Sequence, residues 1–377
     1  MKILIAPDSF KESLSSLEIA EVMEKCVLKT LPEAKPILFP IADGGEGTLL
    51  VLYRILGGDL KEEKVMGPLG KEVKAKWLKK GKDAFIEMAQ SSGLSLLKQE
   101  ERNPLNTTTF GLGQLIKKAF ESKCENFYIG IGGSATNDGG IGALSALGVK
   151  FYNRNNKLIY PGTGKDLLEI KKVDFADIKK FLLKNFIILS DVRNPLYGSE
   201  GASYVYAPQK GANSKDVFLL DKGLRNYANV VKRYTGKDIS KLKGAGAAGG
   251  VGGGFYAFLN GKILSGIHTI LSIGKFEEKI KKADLLLTGE GKIDSQIKYG
   301  KTLGVIFNLV KKYKIPTIAF AGIVERQVYN FIKSHLISIV SISSGITNIE
   351  ESIKNAKELL EIKVQQVLKI YKFGSKM

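Results

Sequence analysis

The chain has 377 residues, and its 44% apolar and 25% charged composition is that of a globular protein with a sizeable core, which excludes disorder, collagen and a disulfide scaffold as global descriptions. At roughly 100–200 residues per domain the length suggests two domains, perhaps three. The net charge of +19 raises a nucleic-acid partner, but only seven of the 57 basic residues are Arg and the lysines are scattered from Lys2 to Lys376, so the charge reads as a Lys-rich surface with no nucleic-acid partner.

Residues 2–6 make a short strand stopped by Pro7 and Asp8. That apolar run is too short for a secretory signal, and later runs at 186–190 and 285–288 are too short to span a bilayer, so the expectation is a cytoplasmic protein without a membrane partner. Ile19, Ala20, Val22, Met23, Cys26 and Val27 then form a helical stripe, opened by a Ser15-x-x-Glu18 capping box and closed by Pro32. Cys26 on that stripe reads as a small buried hydrophobe. Neither Cys26 nor Cys124 has a metal-type partner spacing. A strand at 36–39 leads to Asp43-Gly44-Gly45-Glu46-Gly47. Residues 60–88 read as shorter strands, with turns at Gly67-Pro68-Leu69-Gly70 and Lys80-Gly81-Lys82.

A strand at 126–129 runs into Gly130-Ile131-Gly132-Gly133-Ser134-Ala135-Thr136-Asn137-Asp138-Gly139-Gly140, followed by an apolar helix at 141–147. Successive amides in such a loop make an anion cradle at a helix N-terminus, and the Ser, Thr, Asn and Asp favour a polyphosphate or substrate site over a bare turn. A strand at 186–189 ends at Ser190-Asp191. Gly244-Ala245-Gly246-Ala247-Ala248-Gly249 spells the dinucleotide fingerprint, but no strand precedes it and no acid follows at 266–272. It reads instead as a close-packed helix start. A strand at 284–287 leads to Thr288-Gly289-Glu290-Gly291. Residues 295–302 resemble a P-loop without its first glycine or its strand, so a Walker motif is rejected, leaving Lys301 at a helix start to meet an anion. Strands at 317–320 and 336–341 lead to Ala321-Gly322 and Ser343-Ser344-Gly345. The last helix carries Ile353, Ala356, Leu360, Val364, Val367 and Tyr371, with Asn348 and Glu351 as its cap.

Short continuous Ile/Leu/Val runs are parallel strands buried on both faces, and their alternation with helices gives an α/β fold. The two chain ends carry the pattern most cleanly. We therefore expect a Rossmann-like parallel-sheet domain from residues 1–65 and 285–377, with a second α/β domain inserted at 66–284.

Asp8, Asp43, Glu46, Asp191, Glu290 and Asp294 fall at or just past strand ends, where open α/β sheets bind ligands. Singly, each is ordinary as a turn or N-cap residue. Together they suggest Mg²⁺, which is held by one or two carboxylates plus substrate phosphates, and Lys11 stands ready to neutralise phosphate. Backbone donors, cations, a metal and a carboxylate base are the parts of phosphoryl transfer.

These residues also carry a resemblance. Ala6-Pro7-Asp8-Ser9-Phe10-Lys11, Pro40-Ile41-Ala42-Asp43-Gly44-Gly45-Glu46-Gly47-Thr48, Glu87-Met88-Ala89-Gln90, Glu101-Arg102-Asn103-Pro104 with Thr107-Thr108-Thr109, the 130–140 loop, Ser190-Asp191-Val192 with Asn194-Pro195-Leu196, Ala207-Pro208-Gln209-Lys210-Gly211-Ala212, the 244–250 glycines and Thr288-Gly289-Glu290-Gly291-Lys292-Ile293-Asp294-Ser295-Gln296 together resemble the bacterial type I glycerate kinases, nearly end to end. The resemblance implies phosphorylation of D-glycerate with ATP and Mg²⁺ by two α/β domains with the active site in the cleft. Glu12 stands where that family usually has Gly, Lys292 where it has Arg, Arg193 where it has a small or acidic residue, and His268 where an acid is common; the 300–304 loop is one residue short.

Asp191 is the first choice of catalytic base, Asp294 the second and Asp8 the third, with Lys11 on phosphate or the substrate carboxylate. Ser9, Gly44, Gly45, Arg102, Gly132, Gly133, Ser134, Asn137, Asp138, Gly289, Gly291 and Lys292 are the expected substrate and nucleotide contacts, and Asp43, Glu46 and Glu290 the metal ligands. An NAD-dependent oxidoreductase is the alternative that the failed fingerprint argues against. A non-catalytic small-anion sensor is the alternative that the retained acids argue against. The residues leave the 2- and 3-hydroxyl acceptors open; the resembled family often makes 2-phosphoglycerate, which favours the 2-hydroxyl.

Overall fold

A computed structural model describes residues 1–295, 297, 302–332, 334–343 and 348–374. The chain forms two compact units, Met1–Ala42 with Ile267–Met377, and Asp43–Gly266. Both chain ends thus share one unit, but the boundaries differ from 65/66 and 284/285. The strand Asp59–Met66 pairs antiparallel with Glu72–Lys80, which draws the segment after Ala42 into the inserted unit. At the other junction Phe276 packs edge-on against Phe39 at 4.9 Å, which holds the segment after Gly266 with the chain ends.

In the unit of the chain ends five strands lie in the order Ile337–Ser341, Thr317–Val324, Leu285–Ile293, Lys2–Ile5, Lys35–Leu38, all parallel. Numbered along the chain from the opposite edge this is 2-1-3-4-5, a doubly wound order that reverses between Lys2–Ile5 and Leu285–Ile293. Ile3, Ile5, Leu285, Leu287, Ile318 and Phe320 meet the stripes Ile19, Met23, Cys26 and Leu360, Val364, Leu368 in one core. Leu4 and Leu286, which alternate to the other face, are also fully buried, as sheets covered on both sides require. The capping box forms: Glu18 N donates to Ser15 Oγ at 3.2 Å, and Ser15 N to the Glu18 carboxylate at 2.8 Å. Asn348 caps its helix through Glu351 N at 2.7 Å, and the helical stretch breaks at Asn355 before Ala356–Gly374.

Two expected loops are strand instead. Leu285–Ile293 continues through Thr288-Gly289-Glu290-Gly291, and Thr317–Val324 through Ala321-Gly322, because the two pair with each other at Glu290↔Ala321 and Lys292↔Ile323. Paired backbone amides hold these glycines in a strand that their side-chain propensity alone disfavours. Of the P-loop-like segment, Gln296, Lys298, Tyr299, Gly300 and Lys301 lie outside the described residues, as do Ser344 and Gly345.

The inserted unit holds a six-stranded sheet in the order Lys262–Leu264, Asn185–Leu189, Asn126–Gly130, Asp83–Glu87, Glu72–Lys80, Asp59–Met66. The first four strands are parallel and the last three form an antiparallel meander, turning at Gly70 (φ 83°) and Gly81 (φ 58°). A small antiparallel sheet of Leu158–Ile159, Lys150–Asn153 and Ile170–Asp174 accompanies it. The core is built on Trp77, Phe127, Phe151, Phe186, Tyr227 and Phe255.

Candidate functional site

The reversal of strand order in the unit of the chain ends places two expected site segments side by side. Asp8 N donates to Gly289 O at 2.8 Å, so the loop after the first strand is stitched to the strand that carries Gly289, Glu290, Gly291 and Lys292. Asp8 Oδ1 accepts Ser9 N at 2.7 Å, and Phe10 is buried as the loop's anchor. The chain then turns at Phe10-Lys11-Glu12-Ser13, closed by Ser13 N to Phe10 O at 2.9 Å, with Lys11 exposed. Glu12 has φ 65°, the third-position backbone of a type II turn, which normally takes glycine. Gly291 admits the loop: a Cβ there would stand 3.1 Å from Phe10 Cα. Lys292 pairs with Glu325 at 2.7 Å and lies 3.9 Å from Asp294, and the Glu325 contact holds its ammonium above the usual range. Glu325 had no sequence signal, because the pairing follows from the register of two strands.

In the inserted unit the Asp43 loop is a tight glycine turn. Asp43 and Glu46 are exposed, and Asp43 Oδ1 accepts Gly45 N at 2.9 Å. Gly44 has φ 93°, and a Cβ on it would meet Leu189 O at 2.9 Å. The loop is held from beneath by Glu87, which accepts Gly47 N at 3.2 Å and Leu49 N at 2.9 Å. A carboxylate at the N-terminus of the helix Thr48–Leu56 satisfies donors the helix cannot pair itself. Glu87 is buried, and burial pushes its carboxyl above the usual range against those two bonds. The sequence offered Glu87 only as part of a motif, without a role.

The 130–140 loop is packed more tightly than an open anion cradle. Gly132 N donates to Gly44 O at 3.1 Å, Ala135 N to Ser92 O at 2.9 Å, and Gly139 N to Gly249 O at 2.9 Å. A Cβ on Gly132 would come within 2.5 Å of Gly45 Cα, so the glycines of the two loops allow backbone to meet backbone. The 244–250 glycines act the same way: Ala248, Gly249 and Gly250 are left-handed, and a Cβ on Gly249 would lie 2.3 Å from Thr136 O. Their close-packed helix start is therefore packing against this loop.

Asp138 is fully buried. Its carboxylate accepts Thr109 N at 2.9 Å, Thr109 Oγ1 at 2.7 Å, Gly140 N at 3.0 Å and Gly142 N at 3.3 Å, so it caps the helix Ile141–Leu147 from inside. Burial is the larger influence and pushes its carboxyl up. Asn137 Nδ2 donates to Ser203 Oγ at 3.2 Å, while Asn137 Oδ1, Thr136 Oγ1 and Arg102 Nε are buried without a partner among the described residues. Under the loop lies Lys210, whose ammonium donates to Ser134 Oγ at 2.8 Å and Thr136 O at 2.7 Å. Arg102 adjoins it through the backbone, since a Cβ on Gly211 would meet Arg102 O at 2.1 Å.

Asp191 follows the strand Asn185–Leu189 and is exposed. Of its neighbours, Ser190 Oγ accepts Val192 N at 3.2 Å, and Asn194 bonds Glu200 O at 2.8 Å and Tyr206 OH at 2.7 Å. Among the described residues no three His, Cys, Asp or Glu side chains are gathered to hold a metal, and no helix is long and apolar enough to cross a membrane.

Comparison with known proteins gives one consistent relationship. The model of the "Glycerate kinase family" matches residues 3–372. The chain is similar to a "Glycerate kinase" of Halalkalibacterium halodurans, 42% identical over 95% of each chain, and to a "Glycerate 2-kinase" of Escherichia coli K12, 42% identical over 94% of each. A crystal structure described as glycerate kinase 2 from Salmonella typhimurium LT2, by its describers' own wording a provisional assignment, superposes with a TM-score of 0.85 at 38% identity over 100% of both chains.

Proposed function

The chain belongs to the glycerate kinase family and phosphorylates glycerate with ATP, and from that premise we propose a type I enzyme that uses Mg²⁺ and delivers the phosphoryl group to the 2-hydroxyl of D-glycerate. The observation that carries the reading is the family match across residues 3–372. The similarity to a protein named glycerate 2-kinase supports the choice of hydroxyl.

The residues take the following roles. Lys11, exposed in its turn beside the strand-order reversal, neutralises phosphate or the substrate carboxylate. Ser9, Gly289, Gly291 and Lys292 line the same segment. Asp191 takes the proton of the attacking hydroxyl, with Asp294 and Asp8 as second and third choices; such a base must stand about 2.6–3.2 Å from the proton it removes, or one water away. Asp43 and Glu46 suit Mg²⁺: both are exposed hard-oxygen donors on one glycine turn, and Asp43 spends one oxygen on Gly45 N. One or two carboxylates are what Mg²⁺ ordinarily takes from a protein, and the ion supplies charge neutralisation of the phosphates. Glu290 remains a further candidate ligand. Arg102, Ser134 and Asn137 bind the anionic reactants, and Gly44, Gly45, Gly132, Gly133 and Asp138 shape the loops that present them.

The test is ADP release on D-glycerate with and without Mg²⁺, followed by phosphorus NMR of the product. We expect Mg²⁺-dependent turnover and 2-phosphoglycerate. A 3-phosphate product would overturn the choice of hydroxyl. Wild-type rate and Mg²⁺ dependence retained in both Asp43→Asn and Glu46→Gln would overturn the metal assignment.

A further inference from the structure

Lys210 is 2% exposed, and among the described residues it forms no ion pair; its ammonium is held by Ser134 Oγ at 2.8 Å and Thr136 O at 2.7 Å. A cation withdrawn from water without a paired carboxylate costs free energy, and burial pushes this one down to about 7 while Asp138 opposes the shift. Packing gives no reason to keep such a charge, because a methionine would fill a similar volume. The loop it supports carries two buried polar atoms without partners among the described residues, Thr136 Oγ1 and Asn137 Oδ1. A buried polar network left incomplete in this way calls for a functional reason.

The chemistry of the Lys210–Ser134 bond supplies one. In its charged form Lys210 can only donate, so Ser134 Oγ accepts from it and keeps its own hydrogen for an outside acceptor. Hydrogen bonds in series polarise one another, so the cation behind Ser134 strengthens its O–H as a donor. Ser134 retains 8% exposure, whereas Thr136, Asn137 and Asp138 beside it have none.

We propose that Lys210 is a positioning residue for phosphoryl transfer, fixing the Ser134 hydroxyl as a donor to an anionic oxygen of the bound reactants. The inference rests on the glycerate-kinase reading. The substrate carboxylate and the nucleotide phosphates share the required chemistry, and kinetics separate them.

The experiment measures kcat and both KM values for Ser134→Ala, Lys210→Met and the double variant, with glycerate and ATP varied in turn. Each single variant is expected to raise the KM of the same reactant at least tenfold and to leave the other within threefold. The double variant is expected to fall within threefold of the worse single one, as residues acting through one bond are not additive. A glycerate effect identifies the carboxylate, an ATP effect the phosphates. Multiplicative losses in the double variant overturn the proposal. So does Ser134→Ala with both KM values within threefold of wild type, a result that reads out even if Lys210→Met does not fold. Wild-type protein inactive on glycerate would overturn the underlying reading and the proposal together, and is distinguished because it appears before any variant is compared.

Discussion

Asp8 N donates to Gly289 O at 2.8 Å, across the point where the strand order of its sheet reverses. The contact holds the Asp8-Ser9 loop to the neighbouring strand, and it depends on glycine: a Cβ at 289 would lie 2.6 Å from Phe320 O, a backbone atom that cannot step aside. Gly289→Ala is therefore expected to destabilise by about 1–3 kcal/mol, the usual cost of overpacking. Gly291→Ala, whose nearest atom is at 3.1 Å, is expected to cost less. Urea unfolding of the two variants checks the order, and equal midpoints would refute it.

Lys11 and Glu12 are neighbours with opposite expectations. Lys11→Ala is expected to keep the fold and lower kcat/KM at least about a hundredfold, roughly 2.7 kcal/mol of transition-state stabilisation. A loss of tenfold or less would return Lys11 to the ordinary surface.

Glu12 occupies a left-handed backbone at φ 65°. Relief of that conformation is worth roughly 1–2 kcal/mol, and glycine's greater freedom in the unfolded chain returns about 0.5–1. Glu12→Gly is thus expected to stabilise by about 0.5–1 kcal/mol. A lower melting temperature would show that the Glu12 side chain contributes more than its backbone strain costs.

Asp191→Asn preserves size and hydrogen bonding but cannot take a proton. It is expected to keep ATP binding within about threefold while kcat falls at least about a hundredfold, the range for a lost general base. Titration calorimetry with ATP beside turnover makes the distinction. Lost stability with an unchanged rate per folded molecule would make Asp191 structural.

Glu87 gives a pH signature. Burial raises its carboxyl above the ordinary value of 4.5, so between that value and the raised one the folded state binds more protons than the unfolded state. Stability from this group therefore falls as pH rises through that window. Glu87→Gln removes the titration, so wild type minus variant stability is expected to decline as pH rises above 4.5 and then level off. A difference that grows with pH would refute the burial argument.

The sequence alone determined the α/β class, the capping box at Ser15 and Glu18, the hairpin turns at Gly70 and Gly81, and the motifs that identify the family. Each depends on residues close along the chain or on motif order. Read alone, it also rejects the 244–249 glycines as a dinucleotide fingerprint. Only the tertiary structure decided what the loop glycines do: Gly132, Gly249 and Gly289 are needed because another backbone passes within a Cβ's reach, and sequence carries no record of which segment that is. The same holds for Glu87 under Gly47, Lys210 under Ser134 and Glu325 on Lys292. Each of these contacts joins segments distant in the chain, so its partner is set by strand register and sheet order, and a carboxylate or ammonium read along the sequence looks the same whether it faces water or holds a loop.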